Sequence, residues 1–168
     1  MDMENTIACQ GCASLKEIQE TCGYPTKERF EKGPVAVIEC VQEIPCNPCE
    51  DACPFGAIVV GNPITNLPVF DDEKCTGCGK CVAPCPGLAI FIVNKTVSQG
   101  EATVAFPHEY LPLPNKGDIV KAVNRKGQVV CKAHVHSVNT AKSNVGTAVV
   151  TLRVPVDLSD EVRGMVRL

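Results

Sequence analysis

The run Cys75-Thr76-Gly77-Cys78-Gly79-Lys80-Cys81-Val82-Ala83-Pro84-Cys85-Pro86 constrains this chain more than any other feature of its 168 residues. Three cysteines two residues apart, then a fourth three residues further on and a proline, suit a loop wrapped round three corners of an iron–sulfur cube. The fourth cysteine points the other way and can serve a second cube. Small residues at 76, 77 and 79 let backbone N–H groups approach the cluster sulfides, and Pro86 redirects the chain into whatever follows. The completeness of the run favours iron–sulfur chemistry over a zinc ribbon.

An imperfect copy lies 32 residues upstream: Cys53-Pro54 repeats as Cys85-Pro86, and Gly56-Ala57-Ile58 as Leu88-Ala89-Ile90. Cys46-Asn47-Pro48-Cys49-Glu50-Asp51-Ala52-Cys53-Pro54 supplies the last three cysteine positions of the motif. Its first position falls on Glu43, and the nearest upstream cysteine is Cys40. Five residues between Cys40 and Cys46 can form a wider loop returning to the same cluster. A three-iron cluster, or another cysteine, is the alternative.

Twelve cysteines are more than ordinary usage for a chain of this length. The start of the sequence carries acidic residues and no apolar core, which predicts a cytoplasmic protein with reduced thiols, not a disulfide-stapled one. No apolar run is long enough to span a bilayer, so no membrane insertion is expected. From residue 112 onward nine bases stand against four acids. They are scattered, without a basic block or interleaved aromatics, which argues against nucleic acid and for a solvated β surface or a docked protein partner.

The sequence predicts an α+β chain with three parts. Residues 1–33 form an N-terminal extension, with a capping box at Ser14 and Glu17 opening a short helix and a second helical turn over 27–32. Residues 34–97 hold eight cysteines and three short apolar strands, beginning at Val35, Gly56 and Gly87. Residues 98–168 read as a small antiparallel β domain. There Val129, Cys131, Ala133 and Val135 alternate with Val130, Lys132, His134 and His136, which predicts Val129 on the buried face, and Ala148, Val150, Leu152 and Val154 repeat the pattern. The prolines in Phe106–Pro114 predict a connector without a regular central strand.

Residues 35–95 resemble the bacterial-type ferredoxins that carry two [4Fe-4S] clusters. The resemblance implies crossed ligation, with Cys75, Cys78, Cys81 and Cys53 on one cluster and Cys46, Cys49, Cys40 and Cys85 on the other. The run Lys32–Cys40, leading into Ile44–Cys49, together with the C-terminal β segment, resembles small iron–sulfur subunits of FAD-dependent amino- or imino-acid dehydrogenases from anaerobic microbes. That implies an electron-transfer subunit of a larger oxidoreductase, not catalytic alone, with a flavoprotein or other oxidoreductase subunits as partners. A free soluble ferredoxin-type carrier is the alternative; an iron–sulfur regulatory protein or a self-contained reductase fits less well. All expected ligands lie within 35–95, so the C-terminal β segment is expected to serve assembly and not cluster binding.

Other candidates are weaker. Cys9 and Cys12, with Cys22 ten residues on, offer a possible third metal site that is not favoured: it needs a fourth ligand, with Cys40, Cys131 or a partner chain as candidates, and claiming Cys40 would deprive the second cluster. Cys131 shares its parity with apolar residues and reads as a small buried hydrophobe. His134 and His136 read as surface residues, His108 sits in the proline connector, and no phosphate-binding glycine loop or nucleophile–base pair is present.

Overall fold

A computed structural model describes residue 7 and residues 11–168. The chain enters through helix α1 (Leu15–Gln19), where the Ser14 hydroxyl accepts from the Glu17 N–H and the Glu17 carboxylate accepts from the Ser14 N–H. The helix buries Ile18 and ends in a turn that brings Gly23 flat against strand β1 (Val35–Ile38). The Ile38 N–H donates to the Gly23 carbonyl at 2.9 Å, and a Cβ on Gly23 would collide with the Ile38 oxygen. Only glycine permits that approach.

Helix α2 (Lys27–Phe30) is capped by Thr26, whose hydroxyl accepts from the Arg29 N–H. It delivers Arg29, 5% exposed, into the crevice between the start of β1 and the loop at Cys75. The guanidinium donates from Nε to the Asp72 carbonyl at 2.8 Å, and from Nη2 to the carbonyls of Pro34 (2.9 Å) and Cys75. Thr26 adds two hydrogen bonds to the Asp72 carboxylate, and Lys32 pairs with Glu73. The N-terminal extension is thus fastened to the second cysteine motif by a buried cation and a helix cap.

Beyond β1, helix α3 (Pro48–Asp51) opens with proline in its first turn. Strand β2 (Ile58–Val59) pairs with β3 (Val69–Phe70) in a two-stranded sheet. The remaining strands are β4 (Ile90–Ser98), β5 (Glu101–His108), β6 (Ile119–Val123), β7 (Val129–Asn139), β8 (Ala148–Pro155) and β9 (Gly164–Met165). With β1 they form one antiparallel sheet in the order β1-β4-β5-β8-β7-β6-β9. The residue 97/98 limit expected between two domains falls inside β4, and β4 runs directly into the β5 hairpin.

Two apolar cores share the sheet's ferredoxin-side strands. Val35, Val37, Phe91 and Val93 point into a core with Val104, Phe106, Val120, Val135, Leu152 and Met165. Ala36, Ile38 and Ile90 point the other way, into a core with Ile58, Val60, Val82 and the cysteines. Strand alternation therefore sends neighbouring side chains of β1 and β4 to opposite compartments, which explains why all four residues of β1 are buried.

Two details depart from the sequence reading. β5 continues through Pro107 to His108, paired with β8. Its β4 neighbour is paired only as far as Ala105, so Pro107 sits where β5 has a single flanking strand, a position that tolerates a missing N–H. Val129 is 56% exposed, because a register shift at Ala122/Val123 releases it from the alternation that buries Ala133 and Val135.

Two outcomes follow from this shared architecture. A chain ending at Val97 strips β4 of its β5 partner and opens the larger core. It is expected to lose its cooperative thermal transition, whereas a melting curve like that of the full chain would show two separable domains. Arg29→Met orphans buried carbonyls and should cost on the order of 3 kcal/mol in a chemical unfolding experiment; a loss below ~0.5 kcal/mol would mean that the extension is held by other contacts.

Candidate iron–sulfur centre

The two cysteine motifs arrive in space by different routes. Cys75, Cys78 and Cys81 lie on the irregular loop between β3 and β4, while Cys53 follows α3 on the way to β2. These four line one cavity together with Ala36, Ala57, Ile58 and Ile92. Burial, and then the neighbouring thiols of Cys75, Cys78 and Cys53, push the Cys81 thiol up to about 12. Burial opposes the charged thiolate, and each further thiolate nearby adds repulsion.

The other four cysteines also come from separate stretches of the chain. Cys40 follows β1, Cys46 and Cys49 flank the start of α3, and Cys85 closes the second motif. Burial raises the Cys40 thiol, helped by Cys85 and Cys46. Burial likewise lifts Cys49 to about 11, with Cys85 and Cys46 again adding repulsion. Cys40 and Cys49 are thus both near enough to Cys85 and Cys46 to feel their charge. The cavity-lining four mix the two motifs, three from the second and the last from the first.

The donor set suits a polynuclear iron–sulfur group. Among the described residues no three His, Cys, Asp or Glu side chains converge closely enough for a single metal ion. Cys53, Cys75, Cys78 and Cys81 instead line a common cavity, as a cubane requires, and iron would supply the positive charge that grouped thiolates need. Backbone N–H groups approach the sulfurs: Ala36 and Gly77 on Cys75 at 3.5 and 3.4 Å, Ala57 on Cys53 at 3.3 Å, and Ala89 on Cys85 at 3.5 Å. The Ala57 and Ala89 bonds are related by the 32-residue repeat, so the duplication extends to hydrogen bonding at sulfur. Gly77 adopts φ +68°, and a Cβ there would collide with the Pro34 backbone, so the loop can lie against the start of β1 only with glycine.

Around this centre, the Glu50 carboxylate accepts from the Val60 and Gly61 N–H groups at 2.9 and 3.0 Å, tying α3 to the loop after β2. Those backbone donors hold its pKa below the usual carboxylate value. Cys78 is exposed, placing one cysteine of the first group at the surface.

The remaining sequence candidates are dispersed. Cys12 is half-buried and lines a cavity of about 430 Å³ that Cys40 also borders. Cys22 is exposed, and Cys9 lies outside the described residues. Cys131 packs at the edge of the larger core, where burial raises its thiol. His134 and His136 are exposed on β7. His108 is buried, between Phe106 and Tyr110, and burial lowers its pKa. Nothing in the sequence marks the burial of Arg29 and Arg163, because isolated arginines in polar stretches resemble a solvated surface.

Comparison with known proteins agrees with this geometry. Residues 39–89 match the family described as a 4Fe-4S dicluster domain. An uncharacterized ferredoxin of Methanocaldococcus jannaschii is 31% identical over 96 residues, covering 56% of this chain and 57% of that protein. One subunit of a Na(+)-translocating ferredoxin:NAD(+) oxidoreductase complex of Acetobacterium woodii is 49% identical over 47 residues, 28% of this chain and 14% of that subunit. The polyferredoxin-like subunit of an aliphatic sulfonate oxidoreductase of Pyrococcus furiosus is 48% identical over 48 residues, 29% of this chain and 27% of that one. The chain thus spans less than two thirds of the length of these relatives. No solved structure matches it. Residues 39–89 are a 4Fe-4S ferredoxin domain, built into a longer polypeptide.

Proposed function

We propose that this chain transfers electrons through two [4Fe-4S] clusters as a subunit of a larger, flavin-dependent oxidoreductase. The observation that supports the reading is the cavity that Cys53 of one motif lines together with Cys75, Cys78 and Cys81 of the other. On this reading Cys53, Cys75, Cys78 and Cys81 hold one cluster, and Cys40, Cys46, Cys49 and Cys85 hold the other. Each cluster supplies reversible one-electron storage.

The chain's own residues supply what such a group needs. Val82, Ile58, Ile38 and Ile90, all nearly inaccessible, pack against Cys40, Cys49, Cys53, Cys75, Cys81 and Cys85 and give them an apolar backing. The N–H groups of Ala36, Ala57, Gly77 and Ala89 place partial positive charge at sulfur, which favours the reduced, more negative state. Exposed Cys78 marks a short path between one cluster and a docked protein.

Membership of a complex rests on the material beyond the ferredoxin domain and on the relatives, two of which are named as subunits of oxidoreductase complexes. No helix among the described residues is long and apolar enough to cross a membrane. A flavoprotein partner is the reading favoured by the resemblance to iron–sulfur subunits of FAD-dependent dehydrogenases. Anaerobic purification from the native host under mild salt is expected to bring down a stoichiometric protein with a flavin absorbance. Isolation of the chain by itself, reduced and reoxidised by small carriers, would favour a free ferredoxin instead.

Cys40→Ser tests the ligand assignment. In anaerobically reconstituted protein it should alter the EPR signal of one cluster and leave that of the Cys53/Cys75/Cys78/Cys81 cluster unchanged. Wild-type iron content with an unchanged spectrum would remove Cys40 from the ligand set.

A further inference from the structure

Glu39 lies between the end of β1 and Cys40, and its carboxylate is held by two arginines from the far end of the chain. Oε1 accepts from Arg163 Nε at 2.6 Å and from Arg125 Nη2 at 2.6 Å, and Oε2 accepts from Arg125 Nε at 2.8 Å. The three side chains are 9%, 4% and 11% exposed for Glu39, Arg163 and Arg125. Both arginines are themselves fixed. Arg163 Nη1 donates to the Ser159 and Val162 carbonyls, and its guanidinium stacks 5.0 Å from the Phe91 ring. Arg125 sits in the β6–β7 turn, where the Asn124 side chain accepts from the Lys126 and Gln128 N–H groups.

The backbone of Glu39 reaches the same place from the other side. Its N–H donates to the Ala89 carbonyl at 2.8 Å, and the Ala89 N–H approaches Cys85 Sγ. One residue therefore adjoins Cys40 in sequence and the Cys85 turn in space, two members of one cysteine group. Such a tie is needed here because the motif is irregular. Residues 39–47 contain neither helix nor strand, so the five-residue loop after Cys40 cannot fix that thiol by its own regularity.

We propose that Arg125 and Arg163 are positioning residues for Cys40, acting through Glu39, so that the C-terminal sheet helps to hold the irregular ligand of one cluster. This rests on the two-cluster reading above, and it departs from the expectation that the C-terminal segment serves assembly alone. A buried carboxylate stripped of one guanidinium is left undercompensated, and the loop that carries it must shift toward water. Groups that orient metal ligands commonly change metal affinity by about 10–100-fold when removed.

The test uses full-length protein, anaerobically reconstituted, with Cys40→Ser as the benchmark. Arg125→Met and Glu39→Gln are expected to weaken the cluster signal that Cys40→Ser disturbs and to make that cluster decay at least about tenfold faster in air. The Cys53/Cys75/Cys78/Cys81 signal should keep its intensity and lifetime, whereas a general loss of stability would degrade both. Arg125→Lys, which keeps the charge, should recover part of the lifetime. If Arg125→Met fails to fold, Glu39→Gln, which keeps the side chain's size, gives the same readout. A Cys40-dependent cluster with wild-type lifetime in Glu39→Gln, or in Arg125→Met where that variant folds, would overturn the proposal alone. A spectrum that does not respond to Cys40→Ser would remove Cys40 from the ligand set and overturn this proposal, whereas an iron content of about four per chain would overturn the two-cluster reading itself.

Discussion

β1 has no free face. Val35 and Val37 seal one side of the strand into the core built by the C-terminal strands, while Ala36 and Ile38 seal the other among the cysteines. Its pairing with β4 in register from Val35↔Val93 to Ile38↔Ile90 makes a two-stranded wall with a different compartment on each side. Each fully buried Val or Ile contributes roughly 1.5–3 kcal/mol relative to exposure, so Val35, Val37 and Ile38 alone make a substantial anchor. Moving the register by one position would exchange the two faces and put cluster-side residues into the wrong core.

From that wall the rest of the site follows. Cys40 leaves its C-terminal end, Gly77 lies against Pro34 at its N-terminal end, and the Ala36 N–H in its middle reaches Cys75 Sγ. The flanking segments then act on its two ends. Arg29, from the N-terminal extension, gathers the carbonyls of Pro34, Asp72 and Cys75 at one end. Arg125 and Arg163, from the C-terminal sheet, gather Glu39 at the other. Cys75 itself, and the residue before Cys40, are thus each held by an arginine supplied from outside the motif. The duplication that made the cysteine pattern does not extend to these arginines, which come from unrelated parts of the chain.

How much of this is legible in the sequence depends on the range of the interaction. The capping box at Ser14 and Glu17, the apolar strand at Val35, the alternation in β8 and the cysteine repeat are local patterns, and each is present in the structure. The site residues are legible because ligand spacing is itself a short-range constraint, although Cys40 has to be inferred across a gap in the motif. What sequence cannot display are contacts over long separations. Arg163 and Glu39 are 124 residues apart, and nothing in the surroundings of either marks it as half of a buried pair. The continuity of β4 into β5 is hidden for a related reason: a turn at Ser98–Glu101 looks the same whether it joins two domains or two strands of one sheet. Pro107 falls under a general rule about central strands, and its exception depends on how far β4 extends alongside.

The most direct test of the account is the iron and acid-labile sulfide content of the full-length protein, purified or reconstituted without oxygen, together with its Mössbauer spectrum. Two groups of four cysteines predict about eight irons and eight sulfides per chain, all in cubane environments. A value near four, with Cys40, Cys46, Cys49 and Cys85 recoverable as free thiols, would contradict it.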